Sequence, residues 1–182
     1  MSKPLILVSN DDGITSKGIR VLVSSMKKIG DVVVVAPDSP QSGMGHAITI
    51  GETLRLHEED IFEDVLAYKS SGTPADCVKL AKHYVLKDRT PDLVVSGINH
   101  GSNSSINVIY SGTMSAAVEA GIEGIPAIGF SLLDYSWDAD FEQIKSHVKQ
   151  IASEVLKNGL PEGVILNVNF PKLSKEEIKG VK

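Results

Sequence analysis

Cysteine is almost absent from this sequence: Cys77 is the only one in 182 residues. No intramolecular disulfide can form, which fits a reducing compartment. Dense blocks of Lys and Arg are missing too. Eighteen basic side chains stand against 23 acidic ones, a net charge of -5, and this excludes a chain built to track the backbone of a polymeric nucleic acid. No apolar run approaches the roughly 20 residues that cross a bilayer. The opening MSKPLILVSNDDG carries one Lys and a short apolar run that meets two carboxylates, which matches no signal peptide. The expectation is a cytoplasmic protein with no membrane partner. Internal repeats, low-complexity tracts and linkers are lacking, so one domain over residues 1–182 is expected. Aromatic residues are scarce, and none of the four Tyr, four Phe and one Trp stands out as a platform for a base. There is no G-x-x-x-x-G-K-[ST] loop, no G-x-G-x-x-G after the first strand and no G-x-S-x-G elbow, which counts against NTP-driven motors, dinucleotide enzymes and serine hydrolases.

What is present is an ordinary globular composition, 42% hydrophobic and 23% charged, arranged as strands alternating with helices. PLILVS at 4–9 is a nearly continuous apolar run, as a strand covered on both faces would be. Residues 16–29 carry apolar side chains at helical spacing, with Gly30 as a stop. VVVVA at 32–36 reads as a second buried strand, and the polar stretch 38–46 follows it as a loop. Partial alternation over 47–56 and 65–69 suggests a less buried antiparallel excursion. Thr73-Pro74 predicts a capped helix, 92–96 a strand, and 97–110 a long polar loop. Ser111 or Gly112 opens a helix through Ala120, 126–131 is a strand, 138–157 a long helix and 164–169 a last strand. The rhythm predicts an α/β fold, three-layered and Rossmann-like, with a mainly parallel sheet.

Ligands of such sheets gather at the carboxyl ends of strands, where three loops stand out: Asn10-Asp11-Asp12-Gly13, Ser39 to His46, and Ser96 to Thr113. Adjacent carboxylates repel unless water screens them or a cation neutralises them. Oxygen ligands without clustered Cys or His suit Mg²⁺ or Mn²⁺. The same Asn-Asp-Asp-Gly is also a good solvated turn. Tyr110-Ser111-Gly112-Thr113 starts an Ala-rich helix, whose free N–H groups and hydroxyls suit a phosphate, although such a start is also an ordinary helix cap. Ser42-Gly43 and Ser96-Gly97 share the same sheet edge, and convergence favours the ligand reading. His46 and His100 lie in these loops as candidate general acids; His57, His83 and His147 fall on regular elements, and surface or packing roles fit all five. Cys77, inside a helix, reads as a small buried residue rather than a nucleophile.

With these loops in view the sequence resembles the survival protein E (SurE) family of metal-dependent nucleotidases. The likeness rests on LVSNDDG at 7–13, VVAPDSPQSG at 34–43, SGTPADCV at 71–78, SGINHGSN at 96–103 and YSGTMSAAVEA at 110–120, in that order. The resemblance implies a Rossmann-like core and hydrolysis of nucleoside 5′- and 3′-monophosphates, with short polyphosphate as a further substrate, using one divalent metal ion, Mg²⁺ or Mn²⁺. It implies Asp11, Asp12, Ser42 and Asn99 as metal ligands, the two aspartates being the catalytic pair. Asn10, Gly43, Asn103, Ser111, Gly112 and Thr113 are the implied substrate and phosphate contacts. His100 receives no role. Water is the preferred nucleophile, because carboxylates committed to a cation are poor proton acceptors. Family members ordinarily continue beyond the equivalent of Lys182 with strands and an arm used in subunit association, so the expected homodimer or tetramer is weakened here. The competing readings are a metal-dependent glycosyltransferase and a nucleotide-binding module that does not hydrolyse its ligand.

Overall fold

The computed structural model describes residues 3–174 and 176–180; Lys175 and the last two residues of the polar tail, and with them the ends of the expected single domain, lie outside the described residues. Seven strands form one sheet. In chain order these are β1 (Leu5–Ser9), β2 (Asp31–Pro37), β3 (Leu56–Glu58), β4 (Leu66–Ser70), β5 (Leu93–His100), β6 (Ala127–Leu132) and β7 (Leu166–Phe170). Their spatial order is β3-β4-β2-β1-β5-β6-β7, with every pairing parallel except β3 with β4. The helices are α1 (Lys17–Met26), α2 (Pro74–Leu80), α3 (Gly112–Ile122) and α4 (Lys145–Asn158). This is the expected Rossmann-like α/β architecture.

Alternation along the strands builds two cores. Ile6 and Val8 of β1 and Val34 of β2 pack with Ile19 and Leu22 of α1 and Val148 and Ala152 of α4. Leu5 and Leu7, with Val33 and Val35, face Cys77 and Val78 of α2 and Ala116, Ala117 and Ala120 of α3. A strand buried on both faces has no polar side to show, which is why β1 and β2 read as unbroken apolar runs. Ser16 caps α1 by accepting from the N–H of Ile19. Thr73 and Asp76 form a reciprocal capping box on α2, with Pro74 in its first turn.

Three expectations change. The stretch 47–55 is not a strand, because its polar groups are taken by the start of α2. Thr49 donates its N–H and hydroxyl to the Asp76 carboxylate, and Thr73 Oγ1 donates to the Ala47 carbonyl at 2.7 Å. The helix expected over 138–157 is interrupted: Asp140 caps a short 3₁₀ turn at Phe141–Ile144 before α4 begins. Most important for the site, β5 does not stop at Ser96. It continues to His100 across a register irregularity, pairing Asn99 with Ser131 and His100 with Leu132. Gly97 makes this possible at φ +121°, where a Cβ would sit 2.3 Å from the Phe130 carbonyl oxygen. Gly18 likewise lets α1 close on β5, since a Cβ there would lie 2.0 Å from the Ile98 carbonyl oxygen.

Candidate active site

The chain leaves β1 for β2 on one side and later returns to place β5 on the other, so the carboxyl end of β1 is a topological switch point. Asn10-Asp11-Asp12-Gly13 occupies it. The Asn10 amide donates to the Gly13 carbonyl and to Ser16 Oγ, both at 2.9 Å, which closes the turn onto the start of α1. The carbonyl can only accept, so the amide nitrogen must face it. Both amide hydrogens of Asn10, expected as a substrate contact, are used in this turn, and its side chain has the acceptor oxygen left.

Asp11 is buried and held from α3. Thr113 Oγ1 donates to Asp11 Oδ1 at 2.5 Å, and the Thr113 backbone N–H also favours the charged carboxylate. Gly112 is required beside it, because an added Cβ would lie 2.5 Å from Asp11 Cβ. Ser111 accepts from the Met114 N–H at 3.0 Å and so caps the helix. The Thr113 hydroxyl, expected beside a phosphate, is fully buried here and donates to Asp11. The hydroxyl hydrogen of Ser111 and the N–H of Gly112, which has no intrahelical acceptor, remain the donors of this helix start.

The other loops converge through the backbone. Gln41, one residue before Ser42, donates its N–H to the Asp11 carbonyl at 2.7 Å, and Gly45 donates to the Tyr110 carbonyl at 3.2 Å. His46 Nε2 meets Glu119 Oε2 at 2.8 Å, which ties the far end of the same loop to α3. Ser42 and Gly43 are exposed between these anchors; Gly43 has φ +76° and open space on its Cβ side. Asn99 donates its amide to the carbonyls of His100 and Gly101, at 2.9 and 3.3 Å, which leaves Oδ1 as the side chain's acceptor. Asn103 is anchored to the far strands: its N–H goes to Asn169 Oδ1, its carbonyl accepts from Asn167, and its amide donates to Ser131 Oγ at 2.8 Å. It holds the loop, with one amide hydrogen uncommitted.

Electrostatics single out the pair. Burial, then the charge of Asp12, lifts the Asp11 carboxyl from 3.8 to about 6 against the hydrogen bonds from Thr113. Burial also raises Asp12 above the ordinary carboxylate range, offset in part by the backbone N–H of His100. Asp12 Oδ2, Asn10 Oδ1, Ser9 Oγ and Ser96 Oγ are buried without a hydrogen-bond partner, and Ser9 and Ser96 are register neighbours on β1 and β5. Oxygens at one strand edge, two of them acceptors only, suit a hard cation with its water. Among the described residues no cluster of three or more His, Cys, Asp and Glu forms. Ser42 and Asn99, the other residues expected to act as ligands, carry neutral oxygens.

Of the remaining candidates, His100 packs edge-on against Phe141, His83 pairs with Glu123 and His147 lies near Phe170. Cys77 is fully buried, which pushes its thiol far up, as expected of a packing residue. Sequence reasoning missed Glu119, a buried carboxylate on α3. Its one signal was a charge inside the small-residue run SAAVEA. It also missed a cavity beside Asp12 described below.

The sheet and its strand-end site are those of a doubly wound α/β enzyme. The chain belongs to the survival protein SurE family, whose model matches residues 6–182. It is 70% identical over 182 residues to a protein of Cytophaga hutchinsonii named 5'-nucleotidase SurE, covering 100% of this chain and 70% of that one. A relative of the same name from Flavobacterium psychrophilum is 68% identical, over 100% of this chain and 71% of that one. The crystal structure of the SurE protein from Aquifex aeolicus superposes with a TM-score of 0.88 at 46% identity, covering 98% of this chain and 71% of that chain. No helix among the described residues is long and apolar enough to cross a membrane.

Proposed function

We propose that this protein is a metal-dependent phosphomonoesterase that hydrolyses nucleoside 5′-monophosphates, and 3′-monophosphates alongside them. The observation that carries the reading is the adjacent pair of buried Asp11 and half-buried Asp12, whose carboxyls burial holds above their ordinary range and of which Asp12 Oδ2 has no hydrogen-bond partner. The relatives' shared name, 5'-nucleotidase SurE, supports it. Asp11, Asp12, Asn99 and Ser42 would hold one Mg²⁺ or Mn²⁺, which would neutralise the phosphoryl oxygens and make water a better nucleophile. The chain's own residues do the rest. Thr113 favours the ionised form of Asp11 against the effect of burial and fixes its orientation. Ser111 and the N–H of Gly112 donate to the phosphoryl oxygens as charge redistributes, with Gly43 and Asn103 closing the anion's other sides. The neighbouring anchors at Gln41 and His46 hold the Ser42 loop over the site.

The test is phosphate release from AMP with Mn²⁺ or Mg²⁺, with EDTA, and in Asp12→Ala. Release that needs the ion and vanishes in a folded Asp12→Ala protein is expected. Undiminished turnover by that variant, or in exhaustively metal-free buffer, sinks the assignment.

A further inference from the structure

Asp12 does not face α3 as Asp11 does. It lines a cavity of about 380 Å³ together with Gly13, Ser16, Lys17, Asp38, His100 and Trp137, a volume within the range of small-ligand sites. Two cavities of about 400 and 480 Å³ lie elsewhere and contain none of the candidate site residues. Trp137 is the only tryptophan of the chain and is 92% exposed. Tryptophan is highly buried on average, so a bare indole on the wall of a cavity that also contains a site carboxylate calls for a ligand. Its backbone is not loose: Lys17 Nζ donates to the Trp137 carbonyl at 3.3 Å, tying the segment to the start of α1. The neighbouring Tyr135 is already used, its ring covering Gly101 and its hydroxyl accepting from the Ser102 N–H at 3.1 Å.

We infer that this cavity is the nucleobase subsite and that Trp137 is the aromatic face on which the base stacks. The inference rests on the nucleotidase reading and names the part of the substrate that the carboxylate pair does not touch. The phosphoryl group lies between Asp11 and Asp12 toward α3, and the nucleoside extends past Asp12 into the cavity. Stacking accepts every base, with the bicyclic purines covering the indole best. Asp38, whose carboxylate accepts from Ser39 Oγ, also lines the cavity as an acceptor for ribose hydroxyls or base N–H groups.

The single tryptophan makes the test direct. The metal-loaded protein is titrated with AMP, with ribose 5-phosphate and with inorganic phosphate while indole fluorescence is followed. KM for AMP and for ribose 5-phosphate is then compared in the parent, Trp137→Leu and Tyr110→Leu proteins. AMP should quench the fluorescence and the two base-free ligands should not. Trp137→Leu should raise KM for AMP about ten-fold and leave KM for ribose 5-phosphate unchanged. AMP that saturates turnover without changing the fluorescence overturns the subsite while the nucleotidase stands. So does a larger effect of Tyr110→Leu than of Trp137→Leu. Phosphate release from no nucleotide at all would instead remove the nucleotidase reading, and the fluorescence titration would still decide whether a base binds.

Discussion

Replacing Asp11 with Asn should make the metal-free protein more stable, and most so at neutral or higher pH. Burial and the charge of Asp12 lift this carboxyl from 3.8 to about 6. At about 1.36 kcal/mol per pH unit the ionised form therefore costs roughly 3 kcal/mol near pH 8. The variant's amide oxygen still accepts the Thr113 hydroxyl, and the stronger bond made to the charged carboxylate is already contained in that raised pKa, so the expected gain is about 3 kcal/mol. The sign follows from proton counting. A raised folded pKa means that the native state binds a proton more tightly than the unfolded chain between 3.8 and about 6. The parent's stability thus falls as pH rises through that window, and Asn has no such proton to lose. Urea unfolding of both proteins with a chelator present, near pH 8 and near pH 5, reads this difference. The variant's advantage should shrink by about half at the lower pH. Adding Mn²⁺ should then stabilise the parent and not the variant. An Asn variant no more stable than the parent near pH 8, with a difference that ignores pH, would refute the claim that burial makes the Asp11 charge costly in the metal-free protein.

Thr113→Val removes the hydroxyl that holds Asp11; it should destabilise the protein by about 1.5–3 kcal/mol and move the acidic limb of the pH–rate profile upward, whereas Thr113→Ser should restore both. Gly112→Ala puts a Cβ 2.5 Å from Asp11 Cβ, so unfolding should show a loss of about 1–3 kcal/mol and initial rates a fall of about ten- to a hundred-fold from the displaced carboxylate. Cys77, fully buried, should react with an aromatic disulfide reagent only after unfolding; stoichiometric labelling of the native protein would count against the packing of α2 on the sheet.

The alternation of strands and helices, the buried parallel sheet and the carboxylate pair were legible in the sequence, because each depends on local pattern. Apolar runs such as LILVS and VVVVA can only be strands covered on both faces, Thr73-Pro74 carries its own capping chemistry, and Asp11-Asp12 is adjacent in the chain. Tertiary structure alone decided how these parts are used. Gly97, Asn99 and His100 have the composition of a loop, yet pairing with β6 draws them into β5 and brings Asn99 to the strand edge. Thr113 has the sequence of a helix start facing a ligand, yet 102 residues of chain separation close into a bond that gives its hydroxyl to Asp11. Trp137 carried no signal, since a lone indole after a strand is as well suited to a core as to a ligand. Only folding leaves it bare on a wall shared with Asp12. Hydrophobic pattern is a property of neighbours along the chain, whereas the partner of a hydroxyl, a carboxylate or a ring is chosen by segments that meet only when the sheet is complete.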